Sequence, residues 1–211
     1  MVDKICDYLT RKIKKKIPEM DKEREEVINY GLHLVLGEIP KNFILLFLAY
    51  LLGVFGLTLL TLIAVSAYRM ASGGFHLKTH IGCMCATSVF YMGTAMLSKA
   101  VIFESVYIKY TFVAFIWVFS MFMIKLYAPA DTEYVPILRK KERRMKKILS
   151  YLTMTLTLTI GLLIKDSTIS NIFIFITLAQ TIAITRFIYK LSGCRYGYAE
   201  MIKTNQVHNL G

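Results

Sequence analysis

A chain of 211 residues that is 55% apolar and only 19% charged, with a mean hydropathy of +0.50, departs from soluble domains, in which about a quarter of the residues are charged. These values exclude an ordinary water-soluble domain and point to an all-α, polytopic membrane bundle, since six spans of about 20 residues would use about 120 positions. The net charge of +12 does not indicate a nucleic-acid partner, because Lys and Arg are gathered in short polar joints between apolar runs, the pattern that sets membrane orientation.

The first 24 residues hold eight Lys/Arg and no apolar core of a signal peptide, so no cleavable leader is expected. Ile5, Leu9, Ile13, Ile17 and Met20 recur at helical spacing and predict a basic amphipathic helix over 1–26, lying on the cytoplasmic membrane surface; a solvated basic tail is the alternative. The expected organisation is a single integral membrane domain: this segment, membrane helices over 27–190, and a cytoplasmic tail over 191–211.

Apolar character runs from Val27 to Tyr68 with interruptions at Glu38, Pro40 and Lys41, and resumes over 81–98, 106–127, 148–164 and 169–190. The joint Arg139–Lys147 has seven basic residues in nine positions, which assigns it to the cytoplasm. The charge-poor joints Lys99–Lys109 and Lys165–Ser170 then face outward, and Arg69–His80 and the C-terminal tail face inward. A basic N-terminus on the inside requires Val27–Tyr68 to cross twice. A split near Gly53 and Gly56 gives spans of about 29–52 and 56–69, hence about six helices with both termini cytoplasmic.

Four cysteines, Cys6, Cys83, Cys85 and Cys194, show no spacing of a disulfide framework. The stretch Arg69-Met70-Ala71-Ser72-Gly73-Gly74-Phe75-His76-Leu77-Lys78-Thr79-His80-Ile81-Gly82-Cys83 holds the most chemistry. Paired glycines permit a tight turn and close approach of another segment. A cysteine nucleophile needs an imidazole to take its proton and stabilise the thiolate. His80 is three residues from Cys83 and adjacent on an unbroken helix; His76 is about 10 Å away along such a helix and would have to fold back through the glycines. The residues leave the two histidines level. Zinc held by His76, His80 and Cys83 is a rival reading, weakened by the absence of a carboxylate in the stretch to act as base. Cys83 and Cys85 could equally be inert packing residues.

Arg69, Gly73-Gly74-Phe75-His76 and Cys83, with Ala128-Pro129-Ala130-Asp131-Thr132-Glu133, Pro136-Ile137 and the basic run after them, resemble the accessory gene regulator B (AgrB) family of membrane peptidases that mature quorum-sensing propeptides in Gram-positive bacteria. Tyr30-Gly31 extends the resemblance to nearly the whole chain. The resemblance implies a cysteine endopeptidase of the bacterial cell membrane, with Cys83 as nucleophile and His76 as base, His80 becoming a helper or bystander. It ties Arg69 and Gly74 to activity, with Arg69 anchoring a substrate carboxylate or the turn itself. Ser88, five residues after Cys83, is a further candidate. Asp131 or Glu133 would orient the histidine, although Asp131 beside Pro129 also suits a turn-and-cap role. No metal or other cofactor is implied. The expected partners are an autoinducer propeptide, the lipid bilayer and a second copy of the chain in a homodimer; Arg143 and Arg144 would dock the acidic end of the propeptide, or serve topology alone.

A non-enzymatic peptide transporter is the alternative function, disfavoured by the scarcity of polar residues in the spans beyond Lys125, Gln180 and scattered Ser/Thr. The two-span reading of Val27–Tyr68 predicts that a cysteine placed at position 54 reacts with an impermeant maleimide from outside intact cells. Labelling only after the cytoplasmic face is opened would make the region a single crossing.

Overall fold

The computed structural model describes residues 2–17, 19–75, 77, 79–132, 137 and 139–199, with the side chains of 2–4, 22, 23, 26, 27, 30, 33, 34, 38 and 80 left aside. Among the described residues the chain is all helical: α1 Val2–Lys16, α2 Lys22–Leu51, α3 Phe55–Ser72, α4 His80–Ala100, α5 Val106–Tyr127, α6 Lys140–Leu163, α7 Ser167–Ala183 and α8 Arg186–Ser192. They form two compact units, Met1–Gly53 and Val54–Gly211.

In the first unit α1 packs against α2. Asn29 donates to the Asp7 carboxylate at 3.0 Å, and Lys14 pairs with Glu25. Cys6 and Thr10, one turn apart, are buried. The helix expected over 1–26 ends at Lys16, because Asp21 accepts the Arg24 amide at 2.8 Å and caps a new helix. That helix, α2, runs through Pro40 without ending. It stops where the sequence suggested, at Leu51, and Gly53 follows with φ +68°, a conformation that favours glycine.

The second unit is built around α7. Ten of its seventeen residues are buried, and it touches α3, α4, α5 and α6. The core combines Tyr68 of α3, Ile116 and Ile124 of α5, Met154 and Leu158 of α6, and Ile174 of α7. Helices of this unit approach closely where side chains are small, the usual means of helix association in a membrane. A Cβ at Gly161 of α6 would lie 2.8 Å from that of Phe173, and the Ser170 hydroxyl donates to the Gly161 carbonyl at 2.5 Å.

Three helices, α3, α4 and α5, are long and apolar enough to cross a membrane; the bent pair α7 and α8 would make a fourth. Bulky apolar side chains such as Phe115, Val118 and Phe122 on α5 stay exposed, as expected of a surface that meets lipid rather than water. The expected total of about six spans therefore rests on the joints, and length and composition of the helices account for three or four. The run 169–190 differs from its expectation: it is broken by a 70° bend at Ile184–Thr185, with neither Gly nor Pro at the break. Side chains satisfy the freed backbone instead. Thr185 donates its hydroxyl to Ile182 O at 2.7 Å, and Tyr196 donates to Ile184 O at 2.7 Å.

Gly161→Val is expected to destabilise the second unit by about 1–3 kcal/mol through overpacking. The check is a lower thermal unfolding midpoint in detergent, read by the fluorescence of the single tryptophan, Trp117.

Candidate active site at the turn between α3 and α4

Arg69 lies in the last turn of α3, and Gly73 ends that helix with φ +77° and ψ −157°. The left-handed φ is open to glycine at little cost, and the space also demands it: a Cβ at Gly73 would lie 2.2 Å from the Ala130 carbonyl oxygen. The two segments pair as a parallel bridge, Ala130 N donating to Ser72 O at 2.8 Å and Gly74 N to Ala130 O at 3.1 Å. A Cβ at Gly74 would meet the Arg69 guanidinium at 3.3–3.6 Å. One glycine thus admits the 128–131 segment and the other admits the arginine.

Gln180, wholly buried on α7, holds this turn from the other side. Its amide nitrogen donates to Gly73 O at 2.7 Å and to Ser72 Oγ at 3.0 Å, and its oxygen accepts from Arg69 Nη1 at 3.2 Å. Arginine can only donate and a carbonyl can only accept, so the amide orientation follows from its partners. Arg69 also sits 5.8 Å from the ring of Phe90 on α4, a cation–π distance, and so ties α3, α4 and α7 together. One turn deeper, Thr181 donates to Thr177 O at 2.8 Å. That leaves Tyr68 and Ser120 to donate to its oxygen, at 3.0 and 2.8 Å.

The 128–131 segment, entered through a cis Ala128–Pro129 bond, is pinned at its far end. Tyr189 of α8 donates to Ala130 O at 2.8 Å. Asp131 has a fully buried side chain, and its Oδ2 accepts from Ile137 N, Tyr198 N and Arg143 Nη1, each at 3.0 Å. Its Oδ1 is buried without a hydrogen-bond partner among the described residues. Arg143 lies 4.2 Å over the Tyr198 ring and also donates to Ile137 O. Burial raises the pKa of Tyr196, which stacks on Tyr189 at 4.2 Å, and so keeps its phenol protonated as a donor. Lys147, whose pKa is lowered by burial and by the charge of Arg143, donates to Lys125 O at the end of α5.

Cys83 lies in the first turns of α4, where Thr79 caps the helix by accepting the Gly82 amide at 3.2 Å. A Cβ at Gly82 would come within 2.6 Å of that hydroxyl, so the glycine makes room for the cap. Cys83 is half-buried, Cys85 exposed, and no cysteine is in a disulfide. His80 is the first residue of α4, in i,i+3 relation to Cys83. His76 and Glu133 lie outside the described residues, so neither the imidazole partner nor the His76, His80 and Cys83 zinc set is placed. Ser88 is half-buried on α4, but five residues turn it about 140° from Cys83 around a straight helix.

The fold therefore brings Arg69, Gly73, Gly74, Asp131 and Arg143 into one assembly and leaves Ser88 on another face. Arg144 is exposed, whereas its neighbour Arg143 is engaged with Asp131. Gln180 was legible only as an amide within an apolar run. Nothing in the sequence marked Tyr189 or Tyr198.

Arg143→Ala strands a buried carboxylate and is expected to cost about 3–5 kcal/mol. Arg144→Ala should stay within about 0.5 kcal/mol of the parent. Thermal unfolding of the two variants in the same detergent separates a fold-bearing arginine from a surface one.

Comparison with known proteins adds an independent line. No solved structure matches the chain. AgrB-like proteins, named for their likeness to the family, share 26% identity over 97% of this chain and 95% of the relative in Clostridium acetobutylicum. The figures are 28% over 70% of each chain in Clostridium perfringens, and 25% over 83% of this chain and 84% of the relative in Listeria innocua. The family model for Accessory gene regulator B matches residues 4–184, a span that takes in the α3–α4 turn, the 128–131 segment and Gln180, and the chain belongs to that family, which processes quorum-sensing peptides in the membrane.

Proposed function

We propose that the protein is a membrane-embedded cysteine endopeptidase that cleaves a small autoinducer propeptide at the cytoplasmic face and promotes its cyclisation. The observation that carries this reading is the built turn of Arg69, Gly73 and Gly74, which leads within nine residues from Gly74 to the half-buried Cys83 in the first turns of α4. Family membership supports the peptide-processing role.

His76 is the base. It accepts the Cys83 proton, and the thiolate attacks a propeptide carbonyl. The N-terminal turns of α4 favour negative charge near the sulfur. The imidazolium returns the proton to the leaving nitrogen as the C–N bond breaks, so the C-terminal part of the propeptide departs as an amine and the acyl group remains on Cys83 as a thioester. A Cys thiol or Ser hydroxyl within the propeptide then attacks the thioester, loses its proton to His76, and releases Cys83 with closure of a thiolactone or lactone. Exchange of one thioester for another is nearly isoenergetic, so closure depends on keeping water from the acyl-enzyme and on prior orientation of the acceptor.

The joints support six membrane crossings with both termini and the site in the cytoplasm. Lys140, Lys141 and Arg144, exposed at the start of α6, are the charges left to attract an acidic propeptide, an effect that weakens with salt. Arg143 is already committed to Asp131. Asp131, with three donors on one oxygen, is read as the pin of its segment, and Glu133 is retained as a candidate to orient His76.

The test is co-expression with the small open reading frame beside the gene and mass spectrometry of the product. Cys83→Ala and His76→Ala should abolish cleavage, with losses of about 10³-fold or more, and His80→Ala should retain it. A Cys83→Ala protein that still yields the processed peptide would return the chain to the transporter reading.

A further inference from the structure

Gln180 lies about a hundred residues from the turn it holds, on a helix that contributes nothing else to the proposed chemistry. It is fully buried, and both its N–H groups and its oxygen are engaged by Gly73 O, Ser72 Oγ and Arg69 Nη1. A buried amide in a membrane helix is costly unless satisfied, and the same bundle could have been packed with leucine at that site. Its nearest hydroxyl-bearing neighbours on α7 return to their own helix, Thr177 donating to Phe173 O and Thr181 to Thr177 O, whereas Ser170 and Asn171 at the other end of α7 reach the carbonyls of Gly161, Ser98 and Val101. Of the polar side chains on α7, Gln180 is the one that reaches the backbone of the α3–α4 turn.

We propose that Gln180 is a positioning residue for the peptidase site: it clamps the Gly73 carbonyl and the Arg69 guanidinium so that the turn leading to His76 keeps one conformation. This inference rests on the thiol-peptidase reading above and identifies the residue that holds the turn. The geometry gives the amide two separate tasks. Donation to Gly73 O holds the residue whose neighbour, Gly74, pairs with Ala130 O at 3.1 Å. Acceptance from Arg69 keeps the guanidinium packed on Gly74, where an added Cβ would meet it at 3.3–3.6 Å. Glutamate at 180 could keep the second task but not the first, because a carboxylate offers no donor to a carbonyl. Leucine could keep neither.

Two readouts test this in full-length protein in detergent. The first is alkylation by iodoacetamide, with Cys83 and Cys85 resolved by mass spectrometry, Cys85 on the same helix serving as the internal reference. The second is hydrogen–deuterium exchange of the segment containing the Gly74 amide, which does not depend on thiol chemistry. In the parent, Cys83 should react about tenfold faster than the more exposed Cys85 at neutral pH, and His76→Ala should remove that advantage. Gln180→Leu and Gln180→Glu should both remove most of it and speed Gly74 exchange, while Trp117 fluorescence shows a folded protein. Unchanged exchange and unchanged Cys83 reactivity in either folded variant overturns the clamp. Faster exchange with the Cys83 advantage intact overturns its link to the thiol. If the parent shows no Cys83 advantage and His76→Ala changes nothing, the peptidase reading fails, and the exchange data still decide whether Gln180 holds the turn.

Discussion

The backbone pairing of Gly73 and Gly74 with Ala130 is the constraint on which the second unit's architecture at the α3–α4 turn depends. These amides and carbonyls sit inside protein at the end of a membrane bundle, where water cannot satisfy them cheaply. Protein groups supply their partners: Ser72 O takes Ala130 N, Ala130 O takes Gly74 N and the Tyr189 hydroxyl, and Gly73 O takes the Gln180 amide. At Gly73 the approach is closer than any side chain would allow, and Gly74 beside it leaves space for the Arg69 guanidinium. A short stretch after α5 is thereby locked to the turn that precedes α4, although more than fifty residues separate them.

Everything around that pairing acts to hold it. Asp131 draws the start of the Ile137 segment, the Tyr198 amide and Arg143 of α6 onto one buried carboxylate oxygen. The bend between α7 and α8 allows one end of the chain to contribute twice, Gln180 before the break and Tyr189 after it. A straight helix over 169–190 would carry Tyr189 onward along the same axis. The bend is stabilised by its own local donors, Thr185 and Tyr196, so its cost is met without proline or glycine. The positive charge of the Arg139–Lys147 joint accordingly divides into two functions: Arg143 is committed to the fold, and Lys140, Lys141 and Arg144 remain at the surface.

Much of the helical framework was legible because its causes are local. The limits of α5 match the apolar run 106–127, α3 and α4 begin and end within a few residues of 56–69 and 81–98, and Asp21, Thr79, Ser105 and Asp166 cap the helices that follow them. The break at Gly53 was marked by its glycine. The expected helix over 1–26 instead divides, α1 stopping ten residues short where Asp21 caps α2, and α7 breaks at an ordinary Ile-Thr pair. At the α7 break the Ile184 carbonyl finds its donor in Tyr196, twelve residues away, and a local pattern carries no record of that partner.

The sequence by itself determined a membrane helix bundle, the placement of its basic joints, and the local order of Arg69, two glycines, two histidines and Cys83, because hydropathy, charge and spacing are properties of neighbouring residues. It also pointed to the AgrB family through those same residues. Only the tertiary structure decided why there are two glycines, why Arg143 and Arg144 differ, and that Gln180 and Tyr189 hold a turn far from them in the chain. Those facts follow from satisfying buried polar groups in three dimensions, where a donor is chosen by distance in space and not by position along the chain.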